Sequence, residues 1–167
     1  GTFLSRGEKS FQNFNGSVYT ERTLFKEQRM SAQKRDLLNA LELLIIDEIS
    51  MVRADTLDAI DLVLRVRRKK PSLPFGGVQV IYIGDLFQLP PVVNDNEWML
   101  LKDNYKSPFF FDAQVIQQHP PVYLKLKKIY RQSDTDFIDL LNKVRTNCCS
   151  QDDLNMLHKY YRTGFIP

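Results

Sequence analysis

Leu43-Leu44-Ile45-Ile46-Asp47-Glu48-Ile49-Ser50 decides how this chain is read. Four apolar residues run without a break into two acids, and a hydroxyl follows two places later. The run is too short and too branched for a helix of its own. It reads as a strand buried on both faces, as in a parallel sheet covered by helices. Asp47 and Glu48 then stand where the strand leaves the sheet, the side on which open α/β sheets bind ligands. Adjacent acids there suit magnesium–phosphate chemistry: one carboxylate holds the metal or its water, and the other takes a proton from an attacking water. An acid after a strand can also do no more than cap the next helix.

The bulk properties set bounds on both readings. A chain of 167 residues is long enough for one domain with a sizeable core. With 43% hydrophobic and 26% charged residues it should be globular. No apolar run approaches the ~20 residues that span a bilayer, and the start shows no signal-peptide pattern. The first residue is Gly1 rather than Met, so the natural N-terminus is expected upstream. A net charge of +3 permits an anionic partner without demanding one. Cys148 and Cys149 are neighbours, poorly placed for a structural disulfide or a zinc site, and fit reduced thiols. His119 and His158 have no ligand-like spacing.

On the N-terminal side of the organising stretch, residues 1–30 scatter Phe3, Phe11, Phe14, Tyr19 and Phe25 among polar residues without a period. Loop with short strand or helical pieces is expected. Ser31 reads as the N-cap of a helix over 32–41, with Leu37, Leu38 and Leu41 on its inner side. After the strand, a helix is expected from Arg53 to Arg68, with Leu57, Ile60 and Leu64 as its apolar stripe. It ends in Arg65, Arg67, Arg68, Lys69 and Lys70. That run suits the helix dipole and equally suits contact with a nucleic acid.

Pro71, Pro74, Gly76 and Gly77 mark a loop before a second buried strand, Val78-Gln79-Val80-Ile81-Tyr82-Ile83. The strand exits through Gly84-Asp85-Leu86-Phe87-Gln88-Leu89-Pro90-Pro91. Gly84 allows a close backbone approach or an unusual dihedral, and the prolines stiffen the exit. A short helix is expected over 95–103 with Trp98 and Leu101 inward, and Asp112 is placed to cap a helix running to Gln118. Val122-Tyr123-Leu124-Lys125-Leu126 alternates and reads as a third strand, leading to Ile129-Tyr130-Arg131-Gln132. Ser133 or Asp134 caps the next helix, and Ser150 with Asp153 forms a capping box for the last.

Three strand ends then present Asp47-Glu48, Gly84-Asp85 with Gln88, and Arg131-Gln132. These are the parts a nucleotide γ-phosphate needs: an acid for magnesium, an acid for water, an amide to sense phosphate, and an arginine against developing charge. The first is the Walker B pattern of P-loop nucleotide hydrolases. "LLIIDEISMV" (43–52), "GGVQVIYIGDLFQLPPV" (76–92) and "LKKIYRQSDTDFIDLLNKVR" (126–145) resemble motifs II, III and IV of the PIF-type DNA helicases. That is the petite-integration-frequency family of superfamily-one helicases, with RecD-like helicases as cousins. The resemblance runs over about 31–146.

The resemblance implies an α/β fold: a parallel sheet with flanking helices, a partial RecA-like P-loop NTPase domain. It implies that Asp47 coordinates Mg2+ and that Glu48 is the general base. It implies that Gln88 and Arg131 contact the γ-phosphate of ATP and that Asp85 positions the motif III loop, with Tyr130 a packing neighbour of Arg131. The implied partners are single-stranded and duplex DNA, with no membrane. The implied location is intracellular, cytoplasmic in a bacterium and nuclear or mitochondrial in a eukaryote.

The chain departs from the family pattern in the phosphate-binding loop and in the later motifs V and VI of the second RecA-like domain, neither of which is found in it. The phosphate-binding loop G-x-x-x-x-G-K-[ST] does not occur: Gly7-Glu8-Lys9-Ser10 lacks its glycines, with Phe3 and Glu8 in their places. The expected organisation is an irregular segment over 1–30, part of a first RecA-like domain over 31–146, and a C-terminal helix over 147–167 leading toward a second. On that reading the chain is a piece of an ATP-dependent DNA helicase. The alternative is a non-catalytic nucleic-acid-binding or assembly module derived from one.

Overall fold

The computed structural model describes residues 10–12, 18–20, 31–126, 128, 130, 134–159, 161 and 164. In chain order the elements are β1 (Ser10–Gln12), β2 (Val18–Thr20), α1 (Ala32–Ala40), β3 (Leu43–Ile46), α2 (Ala54–Arg67), β4 (Gln79–Tyr82), α3 (Asp95–Leu101), α4 (Gln114–Gln118), α5 (Thr135–Arg145) and α6 (Gln151–His158). Single 3-10 turns lie at Ile49–Met51, Pro74–Gly77 and Phe110–Asp112. The elements fall into two units, Gly1–Val122 and Tyr123–Pro167. Among the described residues no helix is long and apolar enough to cross a membrane.

β3 and β4 pair in parallel, from Leu43 opposite Gln79 to Ile46 opposite Tyr82. Parallel pairing needs a crossover, and α2 supplies it. β1 and β2 form a separate antiparallel pair. Strand side chains alternate between faces. Leu44, Ile46, Val80 and Tyr82 point to the core, where they pack against Ala54, Leu57 and Leu64 of α2, with Phe75 and Val78. The other face differs from the expected double burial: Leu43, Ile45, Ile81 and Ile83 are 40–54% exposed. A continuous apolar run therefore marked the strands correctly but not how many faces are covered.

Helix α2 organises the unit with a stripe of acids that its apolar periodicity hides. Asp55, Asp58 and Asp61 are buried beside Leu57 and Leu64. Asp55 takes a two-pronged ion pair from Arg53, which also reaches Glu97. Asp58 accepts from the Tyr105 hydroxyl and from the backbone N–H groups of Gln114 and Val115, each at 2.9 Å. The first turn of α4 is thus capped from another helix. Asp112, expected in that role, instead accepts from the Ser107 hydroxyl. Burial, with the Asp58 carboxylate beside it, pushes the Tyr105 phenol far above its usual range.

Asp61 binds the Arg65 guanidinium and accepts from Phe75 N–H at 2.6 Å. That last bond holds a turn in which Phe75 (φ 49°) and Gly76 (φ 61°) are both left-handed. A Cβ on Gly76 would stand 2.6 Å from the Leu64 carbonyl oxygen, so only glycine fits. Arg68 donates to the Leu38 and Asn39 carbonyls at 2.8 and 2.7 Å, closing the C-terminus of α1, and to Gly76 O. Two members of the basic run, Arg65 and Arg68, are therefore committed to the fold. Lys69 and Lys70 are exposed.

The start of α1 is as expected, with the Ser31 hydroxyl accepting from Lys34 N–H. Leu38 and Leu41 face the core, whereas Leu37 is 64% exposed. Residues 121–126 form no strand, and Val122, Tyr123, Leu124 and Leu126 are 82–90% exposed. Alternation alone does not supply the partner edge that a strand's backbone groups require.

In the second unit, Asp134 caps α5 and Ser150 with Asp153 caps α6, both as expected. The Lys143 ammonium, then the Ser150 hydroxyl and backbone N–H, hold Asp153 down to about 2. A carboxyl held below its unfolded value of 3.8 stabilises the folded form above that value and loses the effect as pH falls. Loosening of the α5–α6 pair is therefore expected between about pH 4 and pH 2. Amide exchange of the 151–158 segment across that range should show it, and Asp153→Asn should remove the pH dependence.

Candidate functional site at the exits of the parallel strands

The parallel register brings the ends of β3 and β4 to one edge of the sheet. Past the last paired residues, Ile83 N–H donates to Ile46 O and Ile49 N–H donates to Ile83 O, both at 2.9 Å. Asp47 and Glu48 are thus pinched outward between two bonds to one residue, and both are exposed. Glu48 adopts φ 50°, ψ 43°, a left-handed conformation uncommon for a residue with a Cβ. Its N–H donates to Asp47 Oδ1 at 2.9 Å, and its carbonyl accepts from Met51 N–H at 3.0 Å. Together these bonds make the turn that starts the Ile49–Met51 3-10 segment.

Gly84 is explained by close approach rather than by an unusual dihedral. A Cβ there would lie 2.9 Å from Ile49 Cγ2, 3.1 Å from Ile49 N and 3.2 Å from Ser50 N. The two strand exits are therefore in direct backbone contact. Beyond Gly84 the chain turns at once. Gln88 N–H donates to Asp85 O, Phe87 N–H to Asp85 Oδ1, and Gln88 Nε2 to Asp85 Oδ2, at 3.0, 3.0 and 3.1 Å. Asp85 shapes this loop with both carboxylate oxygens, and the Gln88 amide rests on it, exposed to solvent.

Four of the expected site residues, Asp47, Glu48, Asp85 and Gln88, thus lie on the exits of adjacent parallel strands. Arg131, with Gln132, lies outside the described residues. Tyr130 is 82% exposed, with the Lys128 ammonium 4.7 Å from its ring, and is not a packing residue. Beneath the site, Tyr82 packs edge-on against Phe75 and stacks on Phe110. Burial, then the Asp61 charge, pushes its phenol up to about 12, so it stays neutral.

Sequence reasoning noted Ser50 for its hydroxyl but gave it no role. It is 1% exposed, and its hydroxyl has no hydrogen-bond partner among the described residues. A buried hydroxyl left unpaired costs about 1–3 kcal/mol. Spacing offered no signal for this, because a serine after a strand exit is ordinary turn composition.

A parallel strand pair with flanking helices and carboxylates at adjacent exits defines part of a RecA-like α/β domain. The chain belongs to the PIF1-like helicase family, whose profile matches residues 3–154. The ATP-dependent DNA helicase PIF1 of Mus musculus is 40% identical over 128 residues, 74% of this chain and 18% of the mouse protein. The ATP-dependent DNA helicase RRM3 of Saccharomyces cerevisiae is 34% identical over 142 residues, 83% of this chain and 19% of the yeast protein. Among solved structures, the Pif1 helicase from Bacteroides in complex with ADP-AlF3 and ssDNA superposes with a TM-score of 0.75. It is 48% identical, covering 78% of this chain and 30% of that one. The Pif1 helicase from Candida albicans gives a TM-score of 0.71 at 29% identity, covering 88% and 31%. The chain therefore spans about a fifth of the length of these curated relatives.

Proposed function

We propose that this chain is part of an ATP-dependent DNA helicase, in which ATP hydrolysis drives movement on single-stranded DNA and unwinding of duplex DNA. The observation that carries the reading is the juxtaposition of the Asp47-Glu48 and Gly84–Gln88 exits on adjacent parallel strands. Membership of a family whose relatives are named ATP-dependent DNA helicases supports it. Residues 31–146 are assigned to part of a first RecA-like domain, and 147–167, with α6 at Gln151–His158, to the lead toward a second such domain. The location is intracellular.

Asp47 is assigned to Mg2+. Magnesium is commonly held by one or two carboxylates plus phosphate oxygens and water, and an exposed aspartate at a strand exit fits that requirement. The ion would neutralise phosphate charge in ATP. Glu48 is assigned as the general base toward the attacking water; the left-handed turn projects it one residue beyond Asp47. Gln88 is assigned to the γ-phosphate, which requires its amide to leave the Asp85 carboxylate. Asp85 holds the loop through Phe87 N–H whether or not Gln88 is engaged. Arg131 is assigned to the γ-phosphate as a charge-assisted donor.

ATP hydrolysis by the full-length protein, with and without single-stranded DNA, tests this reading. Hydrolysis stimulated by the DNA is expected, with a stimulated KM that rises steeply with salt. Hydrolysis indifferent to DNA would contradict the helicase assignment.

A further inference from the structure

Two unfavourable features meet in the Asp47–Ser50 turn. Glu48 occupies the left-handed region at φ 50°. Ser50 buries a hydroxyl that pairs with nothing among the described residues, although buried polar groups nearly always pair. The turn is held at both ends by Ile83, through Ile46 O and Ile49 N–H. Its Ser50 backbone also lies directly against Gly84, at the head of the loop that carries Asp85 and Gln88. Ser50 therefore sits where the two strand exits meet. Alanine at this position would lose no hydrogen bond made among the described residues, and the hydroxyl is left able to donate to a further acceptor.

We propose that Ser50 is a positioning residue for hydrolysis: its hydroxyl gains an acceptor only when the 47–50 turn rearranges around a terminal phosphate, and that bond fixes Glu48 against the attacking water. This rests on the assignment of Glu48 as the base. A bond made only in the reactive arrangement supports the transition state and not ground-state nucleotide binding.

The test compares full-length wild-type protein with Ser50→Ala and Glu48→Gln. Its readouts are the unfolding temperature without nucleotide, Kd for ADP and for ADP–aluminium fluoride, and kcat and KM for DNA-stimulated hydrolysis. Ser50→Ala is expected to unfold at or above the wild-type temperature and to bind ADP as wild type does. Its kcat and its affinity for ADP–aluminium fluoride should each fall about tenfold with KM unchanged, as for one hydrogen bond made only in the transition state. Wild-type kcat and analogue affinity in Ser50→Ala would overturn the proposal. So would a lowered unfolding temperature with kcat and KM shifting together, the signature of a structural role. If Glu48→Gln loses turnover while Ser50→Ala does not, the Ser50 proposal alone fails. If Glu48→Gln keeps turnover, the base assignment fails and this proposal falls with it.

Discussion

Glu48→Gln in the full-length protein is expected to lower ATP turnover by roughly two orders of magnitude or more while leaving ATP binding in place, the scale of a lost general base. The substitution is nearly isosteric and removes only the basic oxygen. The folded turn should tolerate it, because the contacts that build the turn are made by the backbone of Glu48: its N–H to Asp47 and its carbonyl to Met51. A left-handed residue of the same length and branching replaces another, so strain does not change. Nucleotide affinity should hold, because the proposed metal contact belongs to Asp47. Steady-state hydrolysis with a nucleotide-binding measurement on the same sample separates the two effects. Turnover close to wild type would remove Glu48 from the proposed role.

Asp58→Ala is expected to destabilise the first unit by about 3 kcal/mol or more, since two buried donors and a part-buried one lose their acceptor and each buried orphan costs about 1–3 kcal/mol. The donors are the Tyr105 hydroxyl and the first N–H groups of α4, and no side chain of the residue preceding α4 can take over, because it is Ala113. Asp58→Asn keeps the shape and one acceptor oxygen, so it should be destabilised less. Denaturant unfolding of the two variants orders them. Equal and small effects would mean that water reaches these groups.

The contrast between Asp58 and Asp47 shows what could be read in advance. Asp47 was legible because the signal is local: an unbroken apolar run fixes the strand, and the first acid after it must stand at the exit. The same logic found β4, its exit loop and the parallel pairing. The caps at Ser31, Asp134 and Ser150 were legible for the same reason, each bonding within three residues. Asp58 caps a helix 56 positions later in the chain, so nothing near it reveals the task. Asp112 shows the converse error: correct local chemistry for a cap, overridden by a partner arriving from α2. The segment 122–126 was misread because period-2 alternation describes a strand that has found an edge, and these residues stand in solvent. The basic run after α2 suited the helix dipole and a polyanion equally, and neither reading foresaw that Arg68 is spent on the carbonyls of α1, contacts that depend on the tertiary path.

The geometry of the site was legible only in part. That Asp47-Glu48 and the Gly84 loop would share an edge followed from two strands of one type. That the Gly84 backbone leaves no room for a Cβ against Ile49 and Ser50 did not, because no spacing encodes that approach.

Hydrolysis at the β3 exit is proposed to drive strand separation. Displacement of one strand from a forked DNA duplex by the full-length protein, with Mg-ATP, tests it most directly when wild type and Asp47→Ala are run side by side. ATP-dependent displacement is expected from the wild type and none from Asp47→Ala, with DNA binding of the variant retained. Displacement by Asp47→Ala at the wild-type rate would contradict it.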